Sequence, residues 1–128
     1  MRNVQLTMSV LEGSFSVCRL APVEGIPHWV PTKGLVSITR TAEELSIVCQ
    51  SDAVPDGVRT ERGFRVLKIE GPFDFSLTGI LLAVIAPLGD AGISIFAVST
   101  YDTDYVLVNK NDLKQAVSVL QASGHTVR

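Results

Sequence analysis

FRVLKIEGPFDFSLTGILLAVIAPLGDAGISIFAVSTYDTDYVLVN, residues 64–109, decides the fold. Leu67 and Ile69 alternate with Lys68 and Glu70, which is the period of a strand with one solvated face. Gly71 and Pro72 end that strand. Leu77, Ile80, Leu81, Val84, Ile85 and Leu88 follow at i, i+3, i+4, i+7, i+8 and i+11, the stripe of a helix that buries one face. Ser76 is placed to cap it through a hydroxyl that accepts a free backbone N–H. Pro87 lacks an N–H and should distort or end the helix near its last turn. Gly79, Ala83 and Ala86 make the other face small, open to close approach by a backbone or a ligand. Residues 93–100 are apolar on both faces, which predicts a strand inside a sheet or at a subunit seam. Asp102 and Thr103 turn the chain into a second strand at 105–108.

Working outward, Asn111 can cap a last helix with the stripe Leu113, Ala116, Val117 and Leu120, and Ser123-Gly124 stops it. Residues 125–127 are enough for one closing strand. The order over 64–128 is β-α-β-β-α-β, the ferredoxin-like arrangement of a four-stranded antiparallel sheet with two helices on one face. Residues 1–63 keep strands but have mostly lost helices. Strands are expected at 6–11 and 15–20, paired as a hairpin across Glu12-Gly13, and at 35–40 and 45–50, paired across Thr41–Glu44. Trp29 lies in a Pro-rich connection and should anchor it to the core. Residues 51–63, with Pro55, Gly57 and several charges, read as a linker. The chain is therefore α+β, with a degenerate strand-rich half at 1–63 and a complete unit at 64–128.

Composition narrows the function. Hydrophobic residues make up 46% and charged residues 19%, so a core can form. The formal net charge of −2, with scattered Lys and Arg, argues against a nucleic-acid face. The apolar run at 79–88 is too short to span a bilayer, which needs about 20 residues. The first ten residues lack the apolar core of a secretory signal, so a cytoplasmic location is expected. Cys18 and Cys49 have no metal or redox spacing, and His28 and His125 have no sequence-local partner. Surface or capping roles are expected of the two histidines. No nucleophile stands beside a base, so neither catalysis nor a cofactor is expected.

Five segments in order carry a resemblance: Gly79-Ile80, Ile85-Ala86-Pro87-Leu88, Ile93-Ser94-Ile95-Phe96, Val98-Ser99-Thr100-Tyr101 and Asp104-Tyr105-Val106-Leu107-Val108. They resemble ACT domains of the tandem type, found in small bacterial proteins and animal arginine-sensing proteins, and the regulatory ACT domains of aspartate kinase. The stretch SITRTAEELSIVC, residues 37–49, is similar to the first half of the bacterial group. The resemblance implies amino-acid binding with a sensing role, at an interface between ACT units, and so a homodimer. It puts the ligand loop and helix start on Asp74, Phe75, Ser76, Leu77, Thr78, Gly79 and Ile80, the facing strand on Ser94 and Ile95, and the strand end on Thr100, Tyr101, Thr103 and Asp104. One departure stands out: the Asp-x-Pro-Gly loop of many amino-acid-regulated ACT domains lacks its proline here, and the glycine comes later, at Gly79.

The residues support that chemistry on their own terms. Backbone N–H groups at a helix start carry partial positive charge and suit a carboxylate. Asp104, Asp74 or Asp102 can accept from an ammonium, and Thr100 and Ser94 can complete the hydrogen bonds. The competing reading makes Ser76 a cap only, Gly79 a packing contact only, and Asp102 and Asp104 turn residues only. A ligand-free dimerisation or protein-interaction module is the alternative function.

Overall fold

The structure, a computed structural model, describes residues 4–73 and 78–128. In chain order it holds β1 (Thr7–Val10), β2 (Phe15–Leu20), β3 (Ser37–Arg40), β4 (Leu45–Gln50), β5 (Arg59–Ile69), α1 (Ile80–Asp90), β6 (Ile95–Ser99), β7 (Asp104–Asn109), α2 (Leu113–Ala122) and β8 (Thr126–Val127). These fall into two units. One comprises residues 13–64, the other the segment up to Glu12 together with Arg65–Arg128. The division lies inside β5, one residue from the expected boundary, but the N-terminal segment belongs with the second unit rather than the first.

The 13–64 unit is built from strands in the order β3-β4-β2-β5. The β3–β4 hairpin forms as the sequence indicates, with Ile38 opposite Ile47. Its turn closes on Thr41, whose Oγ1 accepts the amides of Glu43 and Glu44, each at 3.1 Å. Leu45, Ile47, Cys49 and Cys18 are buried, and Trp29 packs against them as the anchor of its loop. Residues 59–63, expected in a linker, are strand instead. Arg59, Glu61 and Arg62 are exposed while the backbone pairs with β2, so the charges mark a solvated strand face rather than a loop.

The other unit is ferredoxin-like with one strand added. β8-β1-β5-β7-β6 is its order. The expected hairpin between the first two strands does not form. β1 pairs antiparallel with the end of β5, Met8 opposite Ile69, and parallel with β8, Thr7 opposite Thr126. Among the described residues this unit therefore contributes five strands, one of them from the N-terminal segment, and β1 and β8 run parallel. Met8, Leu67 and Ile69 are fully buried beneath α1 (Val84, Leu88) and α2 (Ala116, Leu120), all in one cluster. Each such large apolar side chain contributes about 1.5–3 kcal/mol on burial.

Among the described residues β6 pairs with β7 alone and is an edge strand, so of the two expected positions, sheet interior or subunit seam, the interior is the one it does not take. Phe96 and Ala97, on opposite faces of β6, are both exposed, and Val98 is buried. Pro87 stands in the last turn of α1, which ends at Asp90 as its missing N–H leads one to expect.

Candidate functional site

The described helix α1 begins at Ile80, and Gly79 occupies the N-cap with φ 81° and ψ 0°. The first intrahelical bond runs from Ala83 N–H to Gly79 O at 3.0 Å. The amides of residues 80–82 precede it, and Gly79 has no side chain with which to cap them. Among the described residues, a Cβ built on Gly79 would meet nothing within 4 Å. The glycine is needed for its left-handed backbone, which an L side chain enters only with strain. Asp74, Phe75, Ser76 and Leu77, including the expected cap, lie outside the described residues. Thr78 and Gly79 are exposed, and Ile80 is half-buried.

The loop that leads away from β5 is held against the β6–β7 turn. Phe73 N–H donates to Asp102 O at 3.0 Å. Buried Thr103 donates through Oγ1 to Ile69 O at 2.5 Å. A Cβ on Gly71 would lie 3.1 Å from Asp102 O and 3.0 Å from the Phe73 ring, so a side chain there would push the turn or the ring back by a few tenths of an ångström. Inside the turn, Thr100 donates through N–H and Oγ1 to Thr103 O, at 2.8 and 3.0 Å. Ser99 Oγ donates to Asp104 Oδ1. The hydroxyls of Thr100 and Thr103 are thus engaged in shaping the turn, Tyr101 is exposed, and Asp104 is half-buried. No local signal pointed to the contact between Gly71 and Asp102, because the two are thirty-one positions apart.

Ser94 and Ile95 belong elsewhere. The register sets Ile95 opposite Val108 and Ser99 opposite Asp104, at the two ends of the β6–β7 pair. Four residues of strand separate those ends, about 13 Å. The C-terminal end of α1 lies by Ile93, whose N–H donates to Leu88 O at 3.0 Å. One copy of the chain therefore brings Thr100, Tyr101, Thr103 and Asp104 into one turn but keeps Ser94 and Ile95 at the opposite end of the strand.

His125, expected in a surface or capping role, is buried, at 5% exposure, which excludes the surface role. Its ring lies between Leu6 and Ala83. The sequence did hold a signal for this. A proline inside a helix frees the carbonyl four residues earlier, and a buried carbonyl needs a donor.

Ionisable groups nearby are few. The Ser9 hydroxyl, 2.5 Å from Glu70 Oε1, holds the Glu70 carboxyl below its ordinary range, and Lys68 at 3.7 Å acts in the same direction. In the other unit burial pushes the Cys49 thiol up to about 11, with neighbouring Cys18 adding to it. Such a thiol is a core side chain rather than a nucleophile. Among the described residues no group of three His, Cys, Asp or Glu side chains is arranged to hold a metal ion. No described helix is long and apolar enough to cross a membrane.

Comparison with known proteins places this geometry in a family. The sequence profile of the ACT domain matches residues 59–122, and a separate N-terminal-domain profile matches 13–57. The chain is 34% identical over 90 residues to the human protein CASTOR3P, covering 60% of this chain and 55% of that protein. The crystal structure of protein Atu0741 from Agrobacterium tumefaciens is 46% identical, with a TM-score of 0.93 over 98% of this chain and 93% of that one. The ligand-free regulatory subunit of aspartate kinase from Thermus thermophilus is similar in fold alone: 7% identity and a TM-score of 0.59, over 91% of this chain and 96% of that one. With a family profile spanning half its length, on a unit with the βαββαβ order, the chain belongs to the ACT domain family.

Proposed function

We propose that the chain is a regulatory sensor that binds an amino acid at the start of α1 and catalyses nothing itself. The observation that supports this most is the helix start. Gly79 opens α1 with a left-handed backbone, and no described residue lies within 4 Å of a Cβ built on it, where an ordinary capped helix would present a side chain. In this reading the amides of residues 80–82 receive the ligand carboxylate. Asp104 accepts from its ammonium, and Tyr101 and Thr78 border the side-chain pocket. Because Ser94 and Ile95 lie at the far end of β6, a second copy supplies them, so the site sits between two chains. The protein acts in the cytoplasm, with neither cofactor nor nucleic acid.

A thermal-shift screen over the twenty amino acids tests this. One amino acid, or a small group of similar ones, should raise the transition in proportion to the logarithm of its concentration. A ligand at 100 times its dissociation constant stabilises by about 2.7 kcal/mol. No shift with any of the twenty at millimolar concentration contradicts the reading.

A second reading, a dimerisation or interaction module without ligand, draws support from exposed apolar surface. Leu82 on α1 is 54% exposed, and Phe96 on the β6 edge is 36% exposed. Such surface marks association more often than chance. Both readings expect a dimer by sedimentation at tens of micromolar, and Phe96→Glu should weaken it. A monomer there removes the intersubunit site as well.

A further inference from the structure

His125 binds two backbone groups that belong to distant parts of the chain. Leu6 N–H donates to its Nδ1 at 3.1 Å, and Ala83 O lies 2.9 Å from its Nε2. An amide N–H can only donate and a carbonyl can only accept. The ring must therefore carry its proton on Nε2 and keep Nδ1 bare. Its own backbone N–H donates to Leu120 O at 3.1 Å, at the end of α2. The next residue, Thr126, donates to Leu6 O at 2.9 Å as β8 begins.

The second partner is explained by Pro87. In an α-helix Ala83 O would accept from the amide of residue 87, but proline has none, and its ring crowds that carbonyl. A carbonyl in the first turn of α1 is thus orphaned by the sequence of the helix. The imidazole, nearly buried, satisfies it from outside. We propose that His125 stands in for the missing helix amide and thereby acts as a latch, locking the N-terminal strand β1 to the first turn of α1. One ring makes the two bonds, so displacement of the first turn is transmitted to Leu6, and unseating β1 frees the Ala83 carbonyl. The latch is independent of whether an amino acid binds at that turn.

Two substitutions separate the two arms. His125→Asn keeps an acceptor near the position of Nδ1 and loses the Nε2 donor. His125→Gln keeps a donor near the position of Nε2 and loses the Nδ1 acceptor. Amide hydrogen exchange at Leu6 should stay within about threefold of wild type in His125→Asn and accelerate about tenfold in His125→Gln, the factor for one lost hydrogen bond. The other arm is read by a double-mutant cycle with Pro87→Ala, which restores an amide to the helix. His125→Asn should lower the denaturation midpoint in the wild-type background and lower it by less than half as much beside Pro87→Ala. Equal midpoint shifts in the two backgrounds overturn the stand-in role. Leu6 exchange that is unchanged in His125→Gln overturns the latch.

Discussion

The two units close their loops differently. In the 13–64 unit, polar groups in the connections are consumed locally. The Arg40 guanidinium donates to the carbonyls of Pro22 and Glu24. Ser16 and Ser51 share a hydroxyl bond at 2.7 Å, and Thr41 closes its own hairpin. Trp29 packs beneath the long connection. Exposed apolar residues there, such as Val23, stand singly in a loop and need no function. The ACT unit also closes its β6–β7 turn, through Thr103, Thr100 and Asp102. It then opens its first helix on a glycine whose Cβ would meet no described residue within 4 Å and leaves Leu82 and Phe96 exposed. Packing and turn chemistry account for the strand unit, whereas the ACT unit exposes large apolar side chains on a helix and a strand.

The largest expected effect lies in the 13–64 unit. Ile47 is fully buried in the strand core, so Ile47→Ala should destabilise by about 2–5 kcal/mol. In urea titrations the increment given by the best amino acid should nevertheless match that of wild type. An increment abolished together with the core would break the contrast between the units.

A smaller loss is expected at the closed turn. Thr103→Val removes the buried bond to Ile69 O and should cost about 1–3 kcal/mol, while Thr103→Ser should recover most of it. The readout is the denaturation midpoint without ligand. An unchanged midpoint would mean that the Gly71–Phe73 loop is not held by this turn.

The smallest stability effect belongs to the open helix start. Gly79→Ala meets no neighbour but must adopt a positive φ, so it should cost about 1–2 kcal/mol without ligand. It should also weaken amino-acid binding, because the added methyl stands before the amides of residues 80–82. Equal ligand-induced shifts in wild type and Gly79→Ala would separate the glycine from the site.

Much of this architecture was legible in the sequence, for physical reasons that also show where legibility ended. The order of β5, α1, β6, β7, α2 and β8 follows from local periodicity, as in the stripe from Ile80 to Leu88. The hairpin of β3 and β4 follows from a four-residue polar turn. Partners far apart in the chain leave no such trace. Met8 pairs with Ile69, and nothing near Glu12-Gly13 announces that β1 will bypass β2. For β6, apolar on both faces, the sequence left a sheet interior and a subunit seam open, since both have the same composition, and only the pairing excludes the interior. For the candidate site, residue types were legible but backbone conformation was not. Ser76 is a better cap by type than Gly79, and only the φ of 81° places the described helix start at the glycine. The resemblance puts Ser94 and Ile95 on a facing strand apart from the strand end at Thr100 to Asp104, and the register sets Ile95 and Ser99 at opposite ends of the β6–β7 pair.

The central claim is that ligand recognition belongs to the start of α1, and the most direct measurement is amide chemical-shift mapping. ¹⁵N-labelled protein would be titrated with the amino acid that gives the largest thermal shift. The account predicts saturating changes concentrated at residues 78–83 and 101–104, with residues 13–64 little affected. Changes concentrated within 13–64, with the amides of 80–82 unmoved at saturation, would contradict it.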